Sequence, residues 1–329
     1  MVQSDEKTFQ KVCDFLKPLN LTFEDYEKFC QLMGDVMTRG LQKSENSSIM
    51  MYPSYVAKIP DGTETGKYLA LDLGGTNYRV LLVQLPGKKA PPVIEERAYA
   101  IPHKIMSGAG NNGCKVKCVA VVNDTVGTLA SCALEDKKCA IGLIVGTGTN
   151  AAYSERRERV ENMEGEHAPQ VVINTEWGAF GEDGEFEEFR TEYDKAVDAE
   201  SLHPGKQLFE KMDSGMYLGE IVRHILVRLV EEGLLFRGQM PDELLRKEEI
   251  NQIFMRFPGI ASLLRRMKRT EVTVGIDGSL YKFHPKFSER MTDIIDKLRP
   301  KNTVFRLRLS EDGSGKGATA IAAAAMRSD

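Results

Sequence analysis

Carboxylates, amides and hydroxyls stand beside glycine-rich turns at several places in this sequence. Asp72 ends an apolar run, 68–71, and a second apolar run, 80–85, follows after a turn made by Gly74, Gly75, Thr76 and Asn77. Glycine lacks the Cβ that would keep a ligand from the backbone, so N–H groups at such a turn can face an anion. Thr76 and Asn77 add donors, and Asp72 can hold a phosphate-bound Mg²⁺ directly or through water. The pattern predicts a hairpin with a phosphate-binding tip, although an ordinary polar hairpin tip has similar residues.

A second candidate group lies where a predicted strand, 118–122, meets a predicted helix. Asn123 and Asp124 begin that helix, which runs to about Leu134. The carboxyl end of a sheet strand is where α/β folds bind ligands, and a carboxylate there can accept the proton of an attacking hydroxyl. An Asn-Asp pair at a helix start more commonly caps the helix. The two residues alone therefore leave catalysis and capping both open.

Further polar residues follow later in the chain. A turn over 146–150 carries Thr147 and Asn150, and Glu176 is followed by Trp177 in a segment with packed aromatic side chains. A turn of this composition is weak evidence by itself, because all turns favour such residues. The segment 310–317 is rich in glycine but is not a Walker A loop, since Lys316 is followed by glycine.

The predicted elements place these groups on a repeated α/β framework. Residues 5–41 have helical periodicity, with Thr22 and Asp25 as a capping box. Three strands, up to 93–101, open the first half, and strands at 140–145, 151–153 and 171–173 open the second in the same way. This indicates an internal duplication. Helices at 201–236, 285–298 and 317–326 and strands at 271–276 and 303–309 complete the second half.

Composition excludes several classes of protein. The chain has 329 residues, a net charge of -4 and 28% charged residues, so nucleic acid is not the expected partner. No apolar run approaches the length of a membrane span, and the first residues do not resemble a leader peptide. Six scattered cysteines favour reduced thiols and a cytoplasmic location.

Several segments, in the right order, resemble the hexokinase and glucokinase family: 72–79, 121–128, 146–150, 174–181, 202–211, 275–282 and 310–317. The resemblance implies an α/β fold of two ribonuclease-H-like, actin-like ATPase domains flanking a cleft. It also implies ATP-dependent phosphorylation of the 6-hydroxyl of glucose and related hexoses, with ATP and Mg²⁺. The expected domains are a helical segment, 1–50, a small domain, 51–135, and a large domain, 136–329.

The resemblance also assigns residues. Asp124 becomes the general base, and the sugar ligands are Asn123, Asn150, Glu176, Gln207 and Glu210. The residues that the resemblance implies for binding phosphate and metal are Asp72, Gly74, Gly75, Thr76, Asn77, Arg79 and Thr147, with Mg²⁺ on Asp72 directly or through water. Those implied for binding the nucleoside are Gly278, Ser279, Leu280, Tyr281, Lys282 and Phe283.

Two intervals are shorter than in that family, near 108–117 and 257–263. The first would remove a central strand and a lysine that stabilises charge on the transferring phosphoryl group. We therefore expect the first domain to be incomplete and the chain, expressed as written, to be poorly stable and essentially inactive. If the fold is intact, we expect wide breaks between consecutive Cα atoms there. The alternatives are a non-catalytic relative that binds sugar or nucleotide, and a two-metal nuclease using Asp72 and Asp124.

Overall fold

The computed structural model describes residues 2–43, 46–56, 59–73, 77–100, 119–161, 163–164, 168–245 and 258–326. The helices are α1 (Val2–Leu16), α2 (Phe23–Gly40), α3 (Asp124–Glu135), α4 (Glu192–Ala199), α5 (Leu208–Asp213), α6 (Gly215–Glu231), α7 (Pro258–Met267), α8 (Ser279–Phe283), α9 (Phe287–Leu298) and α10 (Gly313–Ala325). The strands are β1 (Tyr52–Pro53), β2 (Thr65–Leu73), β3 (Asn77–Pro86), β4 (Val93–Ala100), β5 (Cys139–Val145), β6 (Thr149–Arg156), β7 (Gln170–Asn174), β8 (Glu271–Asp277) and β9 (Val304–Leu309).

The larger sheet has six strands in the order β1-β7-β6-β5-β8-β9. β6 is antiparallel to both β5 and β7, whereas β8 is parallel to β5 and to β9. β5 and β8 are almost wholly buried, because helices cover both faces of the parallel part. One large core joins this sheet to α2, α7 and α9, with Phe29, Ile260 and Phe287 fully enclosed. The predicted α/β fold class is confirmed.

The smaller sheet repeats the opening of the larger one. Its three strands, β2-β3-β4, are antiparallel neighbours, as β5, β6 and β7 are. Its inner face, with Leu81 and Val83, packs against Ala320 and Ala323 of α10. The described residues contain no strand on the other edge of β2, where the larger sheet has β8 beside β5.

The predicted strand at 118–122 is wrong over its described part, because residues 119–122 are not extended into any sheet. A strand is held by its ladder partners, and none of the described strands pairs with this segment. The predicted junction at 108–117 lies wholly outside the described residues, as does residue 257 of the second junction. Residues 258–263 form the first part of the continuous helix α7, so the expected Cα break is wrong there. At 108–117 and between residues 257 and 258 the expected break stays a prediction.

Helices α3 and α10 cross at glycines, with backbone against backbone. A Cβ on Gly317 would lie 1.7 Å from the carbonyl oxygen of Gly127, and one on Gly127 would lie 2.6 Å from that of Ser314. The prediction that 310–317 is a loop is wrong in its second half, since α10 begins at Gly313. Glycine has low helix propensity, but here it permits a contact that no side chain would.

Contacts cross both predicted domain boundaries. β1 follows residue 50 but pairs with β7 of the larger sheet, and α10 covers the smaller sheet. The boundaries themselves stay predictions. The Thr22–Asp25 capping box is present at the start of α2, as predicted. Within the described residues, no helix combines the length and apolarity needed to cross a membrane.

Candidate active site

Asp72 lies near the end of β2 and is held by two neighbours. The guanidinium of Arg79 on β3 donates from Nε at 3.0 Å, and the hydroxyl of Ser314 on α10 donates at 3.0 Å. Arg79 also pairs with Asp312 at 2.8 Å. Gly74, Gly75 and Thr76 lie outside the described residues, and Asn77 begins β3. The hairpin is confirmed, while the phosphate role of its tip stays a prediction.

Asn123 and Asp124 both serve the start of α3. Asn123 is the N-cap, and its Oδ1 accepts from the backbone N–H of Thr125 at 2.9 Å. The Oδ1 of Asp124 accepts from the same N–H at 2.8 Å. The capping alternative is therefore correct for Asn123, which leaves its amide NH₂ for another partner. A single oxygen of Asp124 is engaged by the backbone, and the residue as a whole is exposed to solvent.

Asn150, Asn174 and Glu176 form a hydrogen-bonded group at the ends of β6 and β7. The Nδ2 of Asn150 donates to Oδ1 of Asn174 at 2.8 Å and to Oε1 of Glu176 at 3.2 Å, and Asn174 donates to the same carboxylate oxygen at 2.7 Å. Trp177 is buried, and its indole N–H donates to the hydroxyl of Thr149 at 3.3 Å. The Oε1 atom of Glu176 is thus fixed by two amides.

Glu210 on α5 is held against the turn that precedes β6. Its Oε2 accepts from the backbone N–H of Thr149 at 3.0 Å. A Cβ on Gly148 would lie 2.4 Å from the same oxygen, so a larger residue there would displace this carboxylate. Thr147, in the same turn, is exposed, and its carbonyl oxygen accepts from Met216 at 3.2 Å.

Two of the predicted sugar ligands have left-handed backbone conformations. Glu176 has φ 51° and Gln207 has φ 53°, which is costly for residues with a side chain. The side chain of Gln207 lies close to Gly178, where a Cβ would be 2.3 Å from its Oε1. Such strain is concentrated at functional sites, because the surrounding structure must hold it.

The predicted nucleoside segment forms α8 and packs beside the turn after β5. Gly278 has φ 136°, and a Cβ there would lie 2.1 Å from the carbonyl oxygen of Val145. Lys282 pairs with Glu311 at 2.7 Å, and Phe283 is exposed. Ser279, Leu280 and Tyr281 lie in the same short helix. The segment therefore borders the 146–150 turn, as the predicted roles require.

Carboxylates from both sheets lie near Asp124 and Glu210: the charges of Asp72, Glu176 and Asp277 act on Asp124, and those of Glu176 and Asp124 act on Glu210. Burial is the first cause that raises the pKa of Asp124, and the negative charges of Asp72, Glu176 and Asp277 add to it. Because Asp124 as a residue is exposed to solvent, we expect a smaller rise in its pKa than full enclosure would cause. Burial likewise raises the pKa of Glu210 and that of Asp277.

In the part of the chain that the structure describes, no three carboxylates of this cluster have oxygens within 4.8 Å of one another, so a cation here would be held by one or two carboxylates and by its other ligands. Asp72 and Asp277 reach the cluster from opposite sheets, and Arg79 is a cation that opposes the rise in the pKa of Asp277. Several carboxylates with few compensating cations are the donor set that Mg²⁺ prefers. The arrangement can bind a metal-complexed polyphosphate on one side and a polyhydroxy compound at the amide and carboxylate groups on the other.

Four residues of this site have no role predicted from the sequence: Asn174, Asp277, Asp312 and Ser314. Asp277 ends β8, and its Oδ2 accepts from the backbone N–H of Gly313 at 3.1 Å. Its place at the carboxyl end of a buried strand, directly before Gly278, was an available signal. Asp312 carries no such signal, because its contact with Arg79 joins residues that are distant in sequence.

Comparison with protein-family models finds two matches, both described as hexokinase. One covers residues 11–112, and the other covers 140–257 and 258–324 as two abutting pieces. A hexokinase of Schistosoma mansoni is 49% identical over 449 aligned positions, which span 99% of this chain and 100% of that protein. Hexokinase-2 of the horse is 36% identical over 95% of this chain and 48% of its own length.

Comparison with solved structures gives the same relative. The hexokinase from Schistosoma mansoni complexed with glucose has a TM-score of 0.89 and 48% identity, covering 97% of this chain and 99% of that one. Because this chain has 329 residues, at least 120 of the 449 aligned positions of that relative have no counterpart here. The predicted places of the shortened intervals, near 108–117 and 257–263, stay predictions.

Proposed function

Because the chain belongs to the hexokinase family, we propose that it transfers the γ-phosphoryl group of ATP to the 6-hydroxyl of glucose and related hexoses, the first step of glycolysis. The observation that carries this proposal is the position of Asp124. Its carboxylate lies near carboxylates of both sheets, since Asp72 of the smaller sheet and Glu176 and Asp277 of the larger one all act on its charge. A base there meets a sugar hydroxyl on one side and a phosphate on the other.

The sugar side is built from groups that match hydroxyls. Glu176 and Glu210 offer acceptor oxygens, and Asn123 and Asn150 offer both donors and acceptors. Each sugar hydroxyl that leaves water needs a partner, because an unpaired buried polar group is costly. The fixed positions of Glu176 and Glu210 reduce the ordering that sugar binding would require. The solved relative was crystallised with glucose, which supports this substrate.

The phosphate side is built around Asp72 and Arg79. Asp72 would hold Mg²⁺, directly or through water, and the bound ion would supply positive charge to the phosphate oxygens. Arg79 lies beside Asp72 and Asp312, where its guanidinium can meet a phosphate group. Thr147 and the Gly278 segment border the same space. Asp124 takes the proton of the 6-hydroxyl as the new bond to phosphorus forms.

The shortened intervals affect the rate in this proposal. The family places a lysine in the first interval, and the described cluster holds more carboxylates than cations near Asp72 and Asp277. Losing one stabilising contact of this kind typically costs about a hundredfold in rate. The non-catalytic alternative is not favoured by the comparisons. We also propose a cytoplasmic location, which the scattered cysteines support.

The test is a coupled assay for ADP release by the full 329-residue chain, with and without glucose. ADP release that depends on glucose and Mg²⁺ supports the proposal. Glucose-induced thermal stabilisation without ADP release would instead support a protein that binds sugar and does not phosphorylate it. ADP release that is unchanged by glucose would contradict a sugar kinase.

A further inference from the structure

Strand β4 (Val93–Ala100) is the outer strand of the smaller sheet. It pairs with β3 on one side, and no described strand pairs with it on the other. Glu95, Glu96 and Arg97 are exposed. Charges on an edge strand commonly prevent pairing with other chains. Here, however, the order of the charges makes the strand complementary to itself.

Symmetry limits how two copies of this strand can pair. A two-fold axis between antiparallel strands stands perpendicular to the sheet, so each residue faces a residue whose side chain is on the same face. Two symmetric registers overlap most of β4, one centred on Glu96 and one centred on Arg97. Every other symmetric register pairs fewer residues of each strand.

The register centred on Glu96 brings opposite charges together. Glu95 of one copy faces Arg97 of the other, and this pair occurs twice because of the symmetry. Val93 faces Tyr99 in the same way, on the same face of the sheet. The register centred on Arg97 places that cation against itself and leaves Glu95 opposite Tyr99. Directly opposed charges of unlike sign stabilise a sheet, and those of like sign destabilise it.

The outer face of the smaller sheet carries apolar side chains beside these charges. Leu69 is 62% exposed, Leu71 is 60% exposed and Val93 is 59% exposed, all on the face opposite to α10. Pairing through β4 would cover Val93 with Tyr99 of the other copy, whereas Leu69 and Leu71 lie on β2, two strands away from the contact. The apolar part of the contact is therefore the Val93–Tyr99 pair.

We propose that two copies of this chain form a symmetric dimer by antiparallel pairing of β4 about Glu96. The main cost is the contact between the two Glu96 side chains at the axis. Each of them lies 3.8 Å from its own Arg79, which offsets part of the repulsion. The dimer joins two three-stranded sheets into one of six strands and involves no residue of the sugar site.

The first test measures the monomer–dimer equilibrium by analytical ultracentrifugation. Arg97→Glu places like charges opposite each other twice, so we expect the dimer to weaken about tenfold or more. The double variant Glu95→Arg, Arg97→Glu restores both pairs and should restore the dimer. Lys67→Glu is the matched control, because it makes the same charge change on the same face, at β2. A wild-type chain that stays monomeric at all concentrations would overturn the proposal.

The second test fixes the register by disulfide formation. In an antiparallel pair, residues directly opposite each other are close enough for a disulfide. Cys13 is an exposed free thiol, so the variants are made in a Cys13→Ser background. There, Glu96→Cys should form a covalent dimer under mild oxidation, whereas Arg97→Cys and the background protein should not. Preferential crosslinking of Arg97→Cys would refute this register. Crosslinking of neither variant, with no dimer in the first test, would refute the interface.

Discussion

Replacement of Asp124 by asparagine separates the chemistry of this carboxylate from its structural role. Asparagine keeps the size of the side chain and an oxygen that can accept from Thr125, as Asp124 does at 2.8 Å. The N-cap bond, in which Asn123 accepts from the backbone N–H of Thr125, is unaffected. What the variant loses is the negative charge and the ability to accept a proton. We therefore expect glucose binding to persist and turnover to fall about 10²- to 10⁴-fold, an increase of about 3–5 kcal/mol in the barrier.

The same variant should be more stable than wild type at neutral pH. The pKa of Asp124 is raised above its ordinary value of 3.8, first by burial and then by nearby carboxylates. When the pKa of a carboxyl group is higher in the folded state than in the unfolded chain, ionisation of the group favours the unfolded chain. The free energy of unfolding therefore falls as pH rises above 3.8, and it stays lower at neutral pH. Asparagine does not ionise, so the variant does not lose this stability. The stability difference should disappear below the ordinary pKa, where both forms are neutral.

Asp136→Asn is the matched control, since it is the same substitution at the other end of α3. Asp136 accepts from the hydroxyl of Thr273 at 2.7 Å, and this bond is the first cause that lowers its pKa. Its stabilising effect is present above the ordinary pKa and is lost as pH falls through the lowered value. The control should therefore lower stability at neutral pH and leave turnover unchanged.

The measurements are glucose-dependent ADP release, the thermal shift caused by glucose, and urea unfolding at neutral and acidic pH. Turnover of Asp124→Asn at the wild-type rate would refute its role as the base. A variant that is less stable than wild type at neutral pH, with reduced turnover, would show that the loss of activity reflects folding. Equal effects of Asp124→Asn and Asp136→Asn would lead to the same conclusion.

Three other outcomes are expected. Gly148→Ala should weaken glucose affinity at least about tenfold, because its Cβ would lie 2.4 Å from Oε2 of Glu210; unchanged affinity in a glucose titration would contradict that contact. Asp72→Ala should raise the Mg²⁺ and ATP concentrations needed for half-maximal rate more than the glucose concentration, and equal changes in all three would count against the metal role. Turnover of the wild-type chain should be about a hundredfold or more below that of the Schistosoma mansoni relative assayed beside it; an equal rate would mean that the missing lysine is replaced or unnecessary.

Local rules and resemblance together predicted much of the framework, whereas the roles of the site residues stay predictions. The Thr22 cap and the hairpin around Asp72 follow from nearby residues, so sequence spacing was enough. Asp124, Glu176 and Glu210 could be assigned because each lies in a segment that resembles the family. The structure places the three carboxylates in one cluster.

The incorrect or missing predictions depend on contacts between distant parts of the chain. The segment 119–122 has apolar strand character, but a strand needs a neighbour, and the described sheet provides none there. The first turn of α10 packs against Gly127 of α3. The two backbones can come this close only because glycines lack a Cβ. Asp312 and Ser314 join the site through Arg79 and Asp72, which are more than 200 residues away in sequence.

The packing of α10 on the smaller sheet also determines the order in which the molecule can fold during synthesis. Leu81 and Val83 are made early, but the helix that covers them, with Ala320 and Ala323, leaves the ribosome after nearly all of the remaining described chain. The inner face of the smaller sheet therefore stays uncovered while the larger sheet forms. Such a delay exposes apolar strands to chaperones and to other nascent chains. A fragment ending near residue 135 would lack this cover altogether and should not fold alone.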